Sequence, residues 1–362
     1  MRIALLGTRG IPANYGGFET FAEELSTRLA ARGHQVTVYC RQRPPEAVWR
    51  GVSLRYVPTL RHKYLDTLAH TFLSTLNLLA DRHDVALYCN AANALFTALP
   101  RLWGIPSALN VDGIERKRKK WNALARGWYL LSEWLATRLP DEIVTDAEQI
   151  RTYYRQRYRR DSVFIPYGAP TDSVPPGETL ARLALEPRRY FLYVTRFEPE
   201  NNPLLVRQAF EGLATDLKLA LVGDAPYAAD YIAQVRDTTD PRVVLPGAIY
   251  GAGYHELQSN SFAYVHATEV GGTHPALIEA MGRGALTLYL DTPENREVAG
   301  DAGIPFEPAT LPAVLHRTLE MSEAERASFR DSARRRVEER YSWGTVTLAY
   351  EELLLRLTAR KR

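Results

Sequence analysis

The stretch Tyr264-Val-His-Ala-Thr-Glu-Val-Gly-Gly-Thr-His-Pro-Ala-Leu-Ile-Glu-Ala-Met281 reads as a buried strand, a Gly-Gly loop and a helix opening at Pro275. Gly271 and Gly272 let the backbone come close to a ligand. Proline suits the first helical turn, where its missing N–H costs nothing. The N–H groups of that turn form a site for an anion, here with Thr273 and His274 in the loop before it. Glu279 falls about one turn inside the helix, within reach of a ribose. A phosphate seat beside a carboxylate is what a nucleotide-diphosphate ligand needs.

Working outward, strands alternate with amphipathic helices along the whole chain, which points to parallel α/β layers. The first unit opens with the strand Ile3–Leu6 and the loop Gly7–Gly17. In the helix that follows, Phe18, Phe21, Ala22, Leu25 and Leu29 recur at helical spacing. Further strands are expected at Val36–Tyr39, Leu54–Val57, Val85–Cys89, Ser107–Val111, Glu142–Thr145 and Val163–Ile165. Residues Ala169 to Glu186 carry Pro170, Pro175, Pro176 and Gly177 and read as a linker. A second series runs through Tyr190–Val194, Leu219–Val222, Val243–Leu245, Ala263–His266 and Leu286–Leu290. The segment Tyr341–Leu357 reads as a helix with Trp343, Val346, Tyr350 and Leu354 on one face. Two doubly wound domains, each with a glycine loop after a strand, predict a ligand in the cleft between them.

Composition narrows the class. The chain has 362 residues, 46% hydrophobic and 24% charged, with a formal net charge of +3, a globular balance. Met1-Arg2 leads straight into a strand, so no signal peptide is expected. No apolar run approaches the roughly 20 residues that span a bilayer. Cys40 and Cys89 each end a strand and read as buried thiols of a reducing compartment.

Other constellations each carry two readings. Gly16 and Gly17 bring backbone N–H groups to a phosphate or sugar, or simply make a strand-to-helix turn; the loop lacks the spaced Gly-x-Gly-x-x-Gly pattern of nicotinamide sites. Arg196, leaving a strand end, either holds a diphosphate by charge-assisted bonds or pairs with Glu198 or Glu200 at the surface. Asp112, in Asn110-Val-Asp-Gly-Ile-Glu115, either faces the crevice to bind a sugar hydroxyl or assist proton transfer, or makes an Asp-Gly turn. The run Arg116, Lys117, Arg118, Lys119, Lys120, Trp121 suits an anionic membrane, nucleic acid or a solvated face. The stretch Tyr153-Tyr-Arg-Gln-Arg-Tyr-Arg-Arg160 repeats its basic-aromatic theme. His34 ends the first helix and is expected to cap it. His34, His83, His255 and His274 form no ligand cluster, and no spacing suggests a metal.

Taken together, the chain resembles the retaining GT-B glycosyltransferases of family 4 over nearly its full length. The resemblance is carried by Gly16-Gly17-Phe-Glu-Thr-Phe-Ala-Glu-Glu-Leu25, Arg32-Gly-His-Gln-Val-Thr-Val38, Phe164-Ile-Pro-Tyr-Gly168, Thr195-Arg-Phe-Glu-Pro-Glu200, Leu221-Val-Gly-Asp224 and Glu279-Ala-Met281. Gly7-Thr-Arg-Gly-Ile-Pro-Ala13, Asn110-Val-Asp-Gly113 and Glu269-Val-Gly-Gly-Thr273 resemble a rhamnosyltransferase-like subgroup. The resemblance implies two facing Rossmann-like domains, residues 1–170 for the acceptor and 171–340 for the donor. Residues 341–362 would form a closing helix returning to the first domain. It implies that Glu279 holds the ribose and that Arg196 with the amides of Gly271, Gly272, Thr273 and His274 holds the diphosphate, Gly16 and Gly17 closing over it. The sequence departs from the family at three places. Asn201 stands where a Lys usually helps hold the diphosphate. Glu269 lies two residues before the position of the usual first Glu. Asp112 stands for a His near the donor sugar. Asp112, Arg196 and Glu269 are thus the expected catalytic residues.

The expected reaction is metal-independent and cofactor-free transfer with retention, with rhamnose on dTDP as the leading donor. A lipid-linked saccharide is the expected acceptor, used in cell-surface polysaccharide synthesis at the inner face of the plasma membrane by a cytoplasmic, peripheral enzyme. The alternatives are a nucleotide-sugar 2-epimerase, which shares the architecture, and a nucleic-acid-binding protein. No nucleic acid is expected as partner.

Overall fold

The computed structural model describes residues 1–13, 16–60, 62, 65–118, 121–225 and 228–360. The chain divides into two compact units, one formed by Met1–Tyr167 with Trp343–Arg362 and the other by Gly168–Ser342.

Among the described residues of the first unit, eight strands make one sheet: β1 (Arg2–Leu6), β2 (Gln35–Cys40), β3 (Val48–Trp49), β4 (Val52–Tyr56), β5 (Val85–Cys89), β6 (Ser107–Asn110), β7 (Glu142–Thr145) and β8 (Val163–Phe164). Their order is β3-β4-β2-β1-β5-β6-β7-β8. Every neighbouring pair is parallel except β3 with β4. The strand β3, only two residues long, is too short to show a period and has no counterpart in the sequence reading. β5 and β6 are buried at every position, as central parallel strands covered on both faces should be. The strand order reverses at the β1/β5 pair, so the carboxyl ends of these strands flank the crevice in which such sheets bind ligands.

The helix Gly17–Ala31 packs behind this crevice with Phe21, Ala22, Leu25 and Leu29 buried. Helix Trp343–Ala359, although last in the chain, belongs to the same unit. Its buried face includes Trp343, Val346, Tyr350, Leu354 and Leu357, the first four being the stripe read from the sequence. The Tyr350 and Phe21 rings lie 5.3 Å apart, and the Tyr350 hydroxyl accepts from Asn110 Nδ2 at 2.8 Å. His34 closes the first helix as expected, but through its backbone: its amide donates to the Leu29 carbonyl at 3.1 Å, while its ring lies 2.7 Å from the Glu351 carboxylate through Nε2.

The second unit has six strands among its described residues: β9 (Tyr190–Val194), β10 (Lys218–Val222), β11 (Val243–Gly247), β12 (Ala263–His266), β13 (Thr287–Leu290) and β14 (Ile304–Phe306). They are ordered β11-β10-β9-β12-β13-β14 and all parallel. Alternate residues of β9 and β10 enter different cores: Phe191, Tyr193, Leu219 and Leu221 on one face, Tyr190, Leu192, Ala220 and Val222 on the other. That alternation is the period-two geometry of a strand. Here the order reverses at β9/β12.

Residues 169–186 are not the free linker that their prolines suggested. Ala169 donates to the Tyr341 carbonyl at 2.8 Å, and the short helix Glu178–Arg182 is anchored by a carboxylate from another part of the unit. Glu256 accepts from the amides of Gly177, Thr179 and Leu180 at 2.8, 3.2 and 2.9 Å. Burial alone would raise its pKa. The donors at Leu180, Gly177 and Thr179 outweigh burial and hold it below the usual carboxylate range, as expected for an anion at a helix N-terminus. Cys40 and Cys89 are both buried free thiols.

Candidate functional site

In the second unit the loops after β9 and β12 are laced together at the crevice. The Glu269 amide donates to the Glu200 carbonyl at 2.9 Å. Asn202, at φ 54°, donates from Nδ2 to the Ala267 carbonyl at 2.9 Å and to Glu269 Oε1 at 3.0 Å. The loop after β10 joins them: a Cβ on Gly223 would stand 1.7 Å from the Thr195 carbonyl oxygen, so only glycine fits there. Arg196, Asn201, Glu269 and Gly271–His274 thus share one edge of one sheet. Their side chains are engaged in different ways. Arg196 is half-buried and its guanidinium lies 3.8 Å from Glu198. Asn201 is buried and donates from Nδ2 to the Arg196 carbonyl at 2.8 Å, closing the turn Pro199–Asn201.

Behind the glycine loop lies a buried polar cluster. His274 Nδ1 is 2.7 Å from Asn295 Oδ1 and 3.0 Å from His266 Nε2. The Asn295 amide nitrogen is already donated to the carbonyls of Thr268 and Leu290, which turns its oxygen towards the imidazole. His274 therefore carries its proton on Nδ1, and Nε2 is an acceptor that faces Gly271. Burial, and then the neighbouring His274, keep the pKa of His266 well below the ordinary histidine range. A Cβ on Gly271 would lie 2.0 Å from His274 Nε2. That residue is glycine because the ring occupies the space a side chain would need.

Helix Pro275–Gly282 begins at this loop, with Pro275 in its first turn. Glu279 is buried, and its Oε2 accepts from the Tyr254 hydroxyl at 2.5 Å, while that hydroxyl accepts from Gln258 Nε2 at 2.7 Å. The Gln258–Tyr254–Glu279 chain fixes which way the carboxylate points. Asn295, Tyr254 and Gln258 were not singled out by the sequence because they come from two other helices, and His266, which ends the strand before the loop, read only as a strand residue.

In the first unit, Gly16 is the N-cap of helix Gly17–Ala31. Asp112 follows β6 at φ 57°, a left-handed conformation held by its amide donating to Asn110 Oδ1 at 3.0 Å. A feature the sequence reading missed stands beside Gly16. Glu19 is buried, and its Oε1 accepts from the Arg9 amide at 2.9 Å. Burial raises its pKa, against the opposing pull of the Arg9 amide and the Arg41 guanidinium. Arg41 in turn donates to Asp66 at 2.9 Å and to Thr67 at 3.2 Å. The stretch Gly16-Gly17-Phe-Glu pointed at this place, but nothing in it showed that the Glu side chain turns inward.

The basic run is not the continuous charged surface that its composition suggested. Arg116 donates from Nε to Glu133 at 2.9 Å and from Nη2 to the Tyr153 hydroxyl at 2.7 Å. Tyr153 and Tyr158 both donate to the other oxygen of Glu133, at 2.6 and 2.9 Å. Arg118 is buried against Glu115 at 2.6 Å. The Trp121 ring sits 5.4 Å from Tyr129. The two basic-aromatic stretches therefore meet at one buried carboxylate, with Lys117 left exposed; Lys119 and Lys120 lie outside the described residues. No group of three His, Cys, Asp or Glu among the described residues has the geometry to hold a metal.

Comparison with known proteins gives this arrangement a family. Residues 15–173 match the family profile described as Glycosyltransferase Family 4, and residues 188–323 that described as Glycosyl transferases group 1. No curated protein matches the chain at a significant level. Solved structures with the same fold include sucrose-phosphate synthase from Thermosynechococcus elongatus, at 19% identity and TM-score 0.80, with 99% of each chain covered. HepE from Anabaena in complex with UDP and glucose follows at 14% identity and TM-score 0.78, with 98% of each chain covered. WaaG, a glycosyltransferase involved in lipopolysaccharide biosynthesis, superposes at 15% identity and TM-score 0.75 over 98% of this chain and 99% of its own. These matches are to sugar transfer, and neither an epimerase nor a nucleic-acid-binding reading is favoured. Two glycosyltransferase profiles in succession, on two Rossmann-like units of parallel sheet, make this protein a glycosyltransferase of the GT-B fold.

Proposed function

We propose that the second unit binds a nucleotide-diphosphate sugar and that the sugar passes with retention to a saccharide acceptor held by the first unit. The observation that carries this reading is the loop after β12. Glycines and His274 lead there into a helix opening at Pro275, and the buried Glu279 stands one turn in, aimed by Tyr254. Arg196 and the amides of Gly271, Gly272, Thr273 and His274 take the diphosphate, and Glu279 takes the ribose. Charge developing on the leaving phosphate is met by donors already in place, which is how such a site lowers a barrier. That phosphate helps deprotonate the acceptor hydroxyl in a front-face displacement, with Glu269 on the sugar side of the donor loop. No metal or cofactor takes part.

The subgroup resemblance of Gly7-Thr-Arg-Gly-Ile-Pro-Ala13 and Glu269-Val-Gly-Gly-Thr273 favours rhamnose carried on dTDP. The acceptor in this reading is a lipid-linked saccharide at the cytoplasmic face of the plasma membrane, in cell-surface polysaccharide synthesis; WaaG is a structural neighbour with a role in lipopolysaccharide biosynthesis. The test is a thermal-shift screen against UDP, dTDP, GDP and ADP, each with its sugars, with and without EDTA. Selective stabilisation by dTDP species, unchanged by EDTA, is expected. Selective stabilisation by another nucleotide would overturn the rhamnosyl donor, and no shift with any nucleotide would overturn the roles of Arg196 and Glu279.

A further inference from the structure

The second unit gathers arginines at the end of its sheet opposite the donor-side loops. Helix Glu323–Arg340 carries Arg326, Arg330 and Arg334 four residues apart, so the three share one helix face. Like charges at that spacing repel one another and weaken a helix. A stripe of this kind belongs in water, yet the Arg326 and Arg330 side chains keep only 16% and 14% of their accessibility. Both line a groove of about 450 Å³, together with Arg188, Arg189, Leu217 and Phe262. These last four stand within two residues of the starts of β9, β10 and β12, so the groove lies at the amino ends of the strands.

Separate contacts hold the arginines there. Arg188 sits at φ 62°; its amide donates to the Asn260 carbonyl at 2.8 Å, and its Nη1 to the Ser261 carbonyl at 2.8 Å. The Arg326 guanidinium lies 5.2 Å from the centre of the Phe262 ring, and its Nε donates to one oxygen of Glu323 at 3.2 Å. Arg330 donates to the other oxygen of Glu323, and Arg189 pairs with Asp216. The groove is therefore lined by four guanidiniums against two carboxylates, a net +2. Burial, and then the charge of Arg330, lower the pKa of Arg188, so the excess is felt inside the cluster. Arg334, one turn further along the helix, keeps a buried Nε with no hydrogen-bond partner among the described residues. Charges that served the fold alone would balance. Here positive charge accumulates around a space of small-molecule size, with planar donors suited to phosphate oxygens.

We propose that this groove is a second binding site, for a small phosphate-bearing anion, with Arg188 and Arg330 as its principal donors and Arg326 beside them. A phosphate dianion would cancel the net charge. Glu323 is its internal competitor, because it accepts from Arg326 and Arg330, the same donors the anion needs. The site lies at the other end of the sheet from Arg196 and the Gly271–His274 loop, and the proposal does not depend on how that loop is read.

The test titrates the full chain with inorganic phosphate, reading the melting temperature against sodium chloride of equal ionic strength so that general screening is removed. The wild type should be stabilised by phosphate beyond chloride. Arg188→Gln and Arg330→Gln should each weaken the apparent affinity about tenfold or more, as the loss of a charged hydrogen bond does. Glu323→Gln should tighten it several-fold, and this variant keeps the test open should an arginine variant fail to fold. Arg196→Ala should leave the phosphate response unchanged. Glycerol 3-phosphate is run in parallel: an equal response supports free phosphate as the ligand, and a stronger one supports a phosphorylated metabolite. Phosphate that acts no better than chloride would overturn the proposal, as would arginine variants that respond like the wild type or a Glu323→Gln variant that binds no tighter. A response lost in Arg196→Ala and kept in Arg330→Gln would place the phosphate at the donor-side loop instead.

Discussion

Replacing Gly271 with alanine is the sharpest probe of the donor-side loop. The added Cβ would meet His274 at 2.0 Å from Nε2, 2.5 Å from Cδ2 and 3.3 Å from Cε1, well inside contact distance. A flexible side chain would swing aside, but this imidazole is buried and tied through Nδ1 to Asn295 and His266. Moving it overpacks the site, at about 1–3 kcal/mol. It also leaves the buried Asn295 oxygen unpaired, at about 1–3 kcal/mol more. A total near 3 kcal/mol corresponds to a melting-point loss of roughly 6–12 °C for a unit of this size, unless the loop yields and the loss appears as weaker nucleotide binding. Calorimetry with nucleotide titration reads both. The decisive control is the double-mutant cycle with His274→Ala. With the ring gone, the Gly271→Ala change should cost little, giving a coupling of about 2 kcal/mol or more. If Gly271→Ala melts and binds nucleotide as the wild type does, or costs the same with and without the ring, the reasoning about this loop is wrong.

Three further outcomes follow from other contacts. Glu133→Gln should destabilise the first unit by about 1–3 kcal/mol in denaturant titration, because the partly buried Arg116 and the Tyr153 and Tyr158 hydroxyls lose their charged acceptor; an unchanged midpoint would show that the cluster is decorative. Arg196→Ala should weaken binding of a nucleoside diphosphate by roughly 10–150-fold, from the worth of a charged hydrogen bond, and leave the parent nucleoside nearly unaffected in calorimetric titration. The buried histidines set a pH dependence. Burial, reinforced by Arg41 for His70 and by Arg283 for His255, lowers both pKa values to about 4, and His266 is lowered as well. Below about pH 6.5 the unfolded chain takes up protons that the folded chain refuses, so stability present above that pH falls on acidification, by up to about 1.4 kcal/mol per pH unit for each histidine. Equal stability at pH 7 and pH 5 in urea titration would contradict their neutral burial.

The inner strands were legible because parallel strands covered on both faces must be continuous runs of apolar residues. Val85–Cys89, Glu142–Thr145, Tyr190–Val194 and Ala263–His266 read from the sequence have the bounds found in the fold. The edge strands Val48–Trp49 and Ile304–Phe306 were missed, since two or three residues carry no period. The supposed linker failed for another reason: proline and glycine mark where the chain turns, but not whether the turns are packed, and here Glu256, far along the chain, anchors them.

At the candidate site the backbone elements were readable and the side-chain partners were not. Glycine and proline act through local dihedral and steric preferences, so the loop at Gly271 and the helix start at Pro275 are written in neighbouring residues. The partners that orient His274 and Glu279 lie 21 and 25 positions away, at Asn295 and Tyr254, and only the packing of helices on the sheet brings them together. Charge shows the same division. Five basic residues stand in a row at Arg116–Lys120, yet that Arg116 and Arg118 turn inward depended on the carboxylates of Glu133 and Glu115 lying nearby. Local sequence determined where this chain forms strands, glycine loops and helix starts, because those depend on each residue and its immediate neighbours. Tertiary structure decided which polar groups are paired inside and which apolar faces remain outside, because desolvation is settled only when distant segments meet.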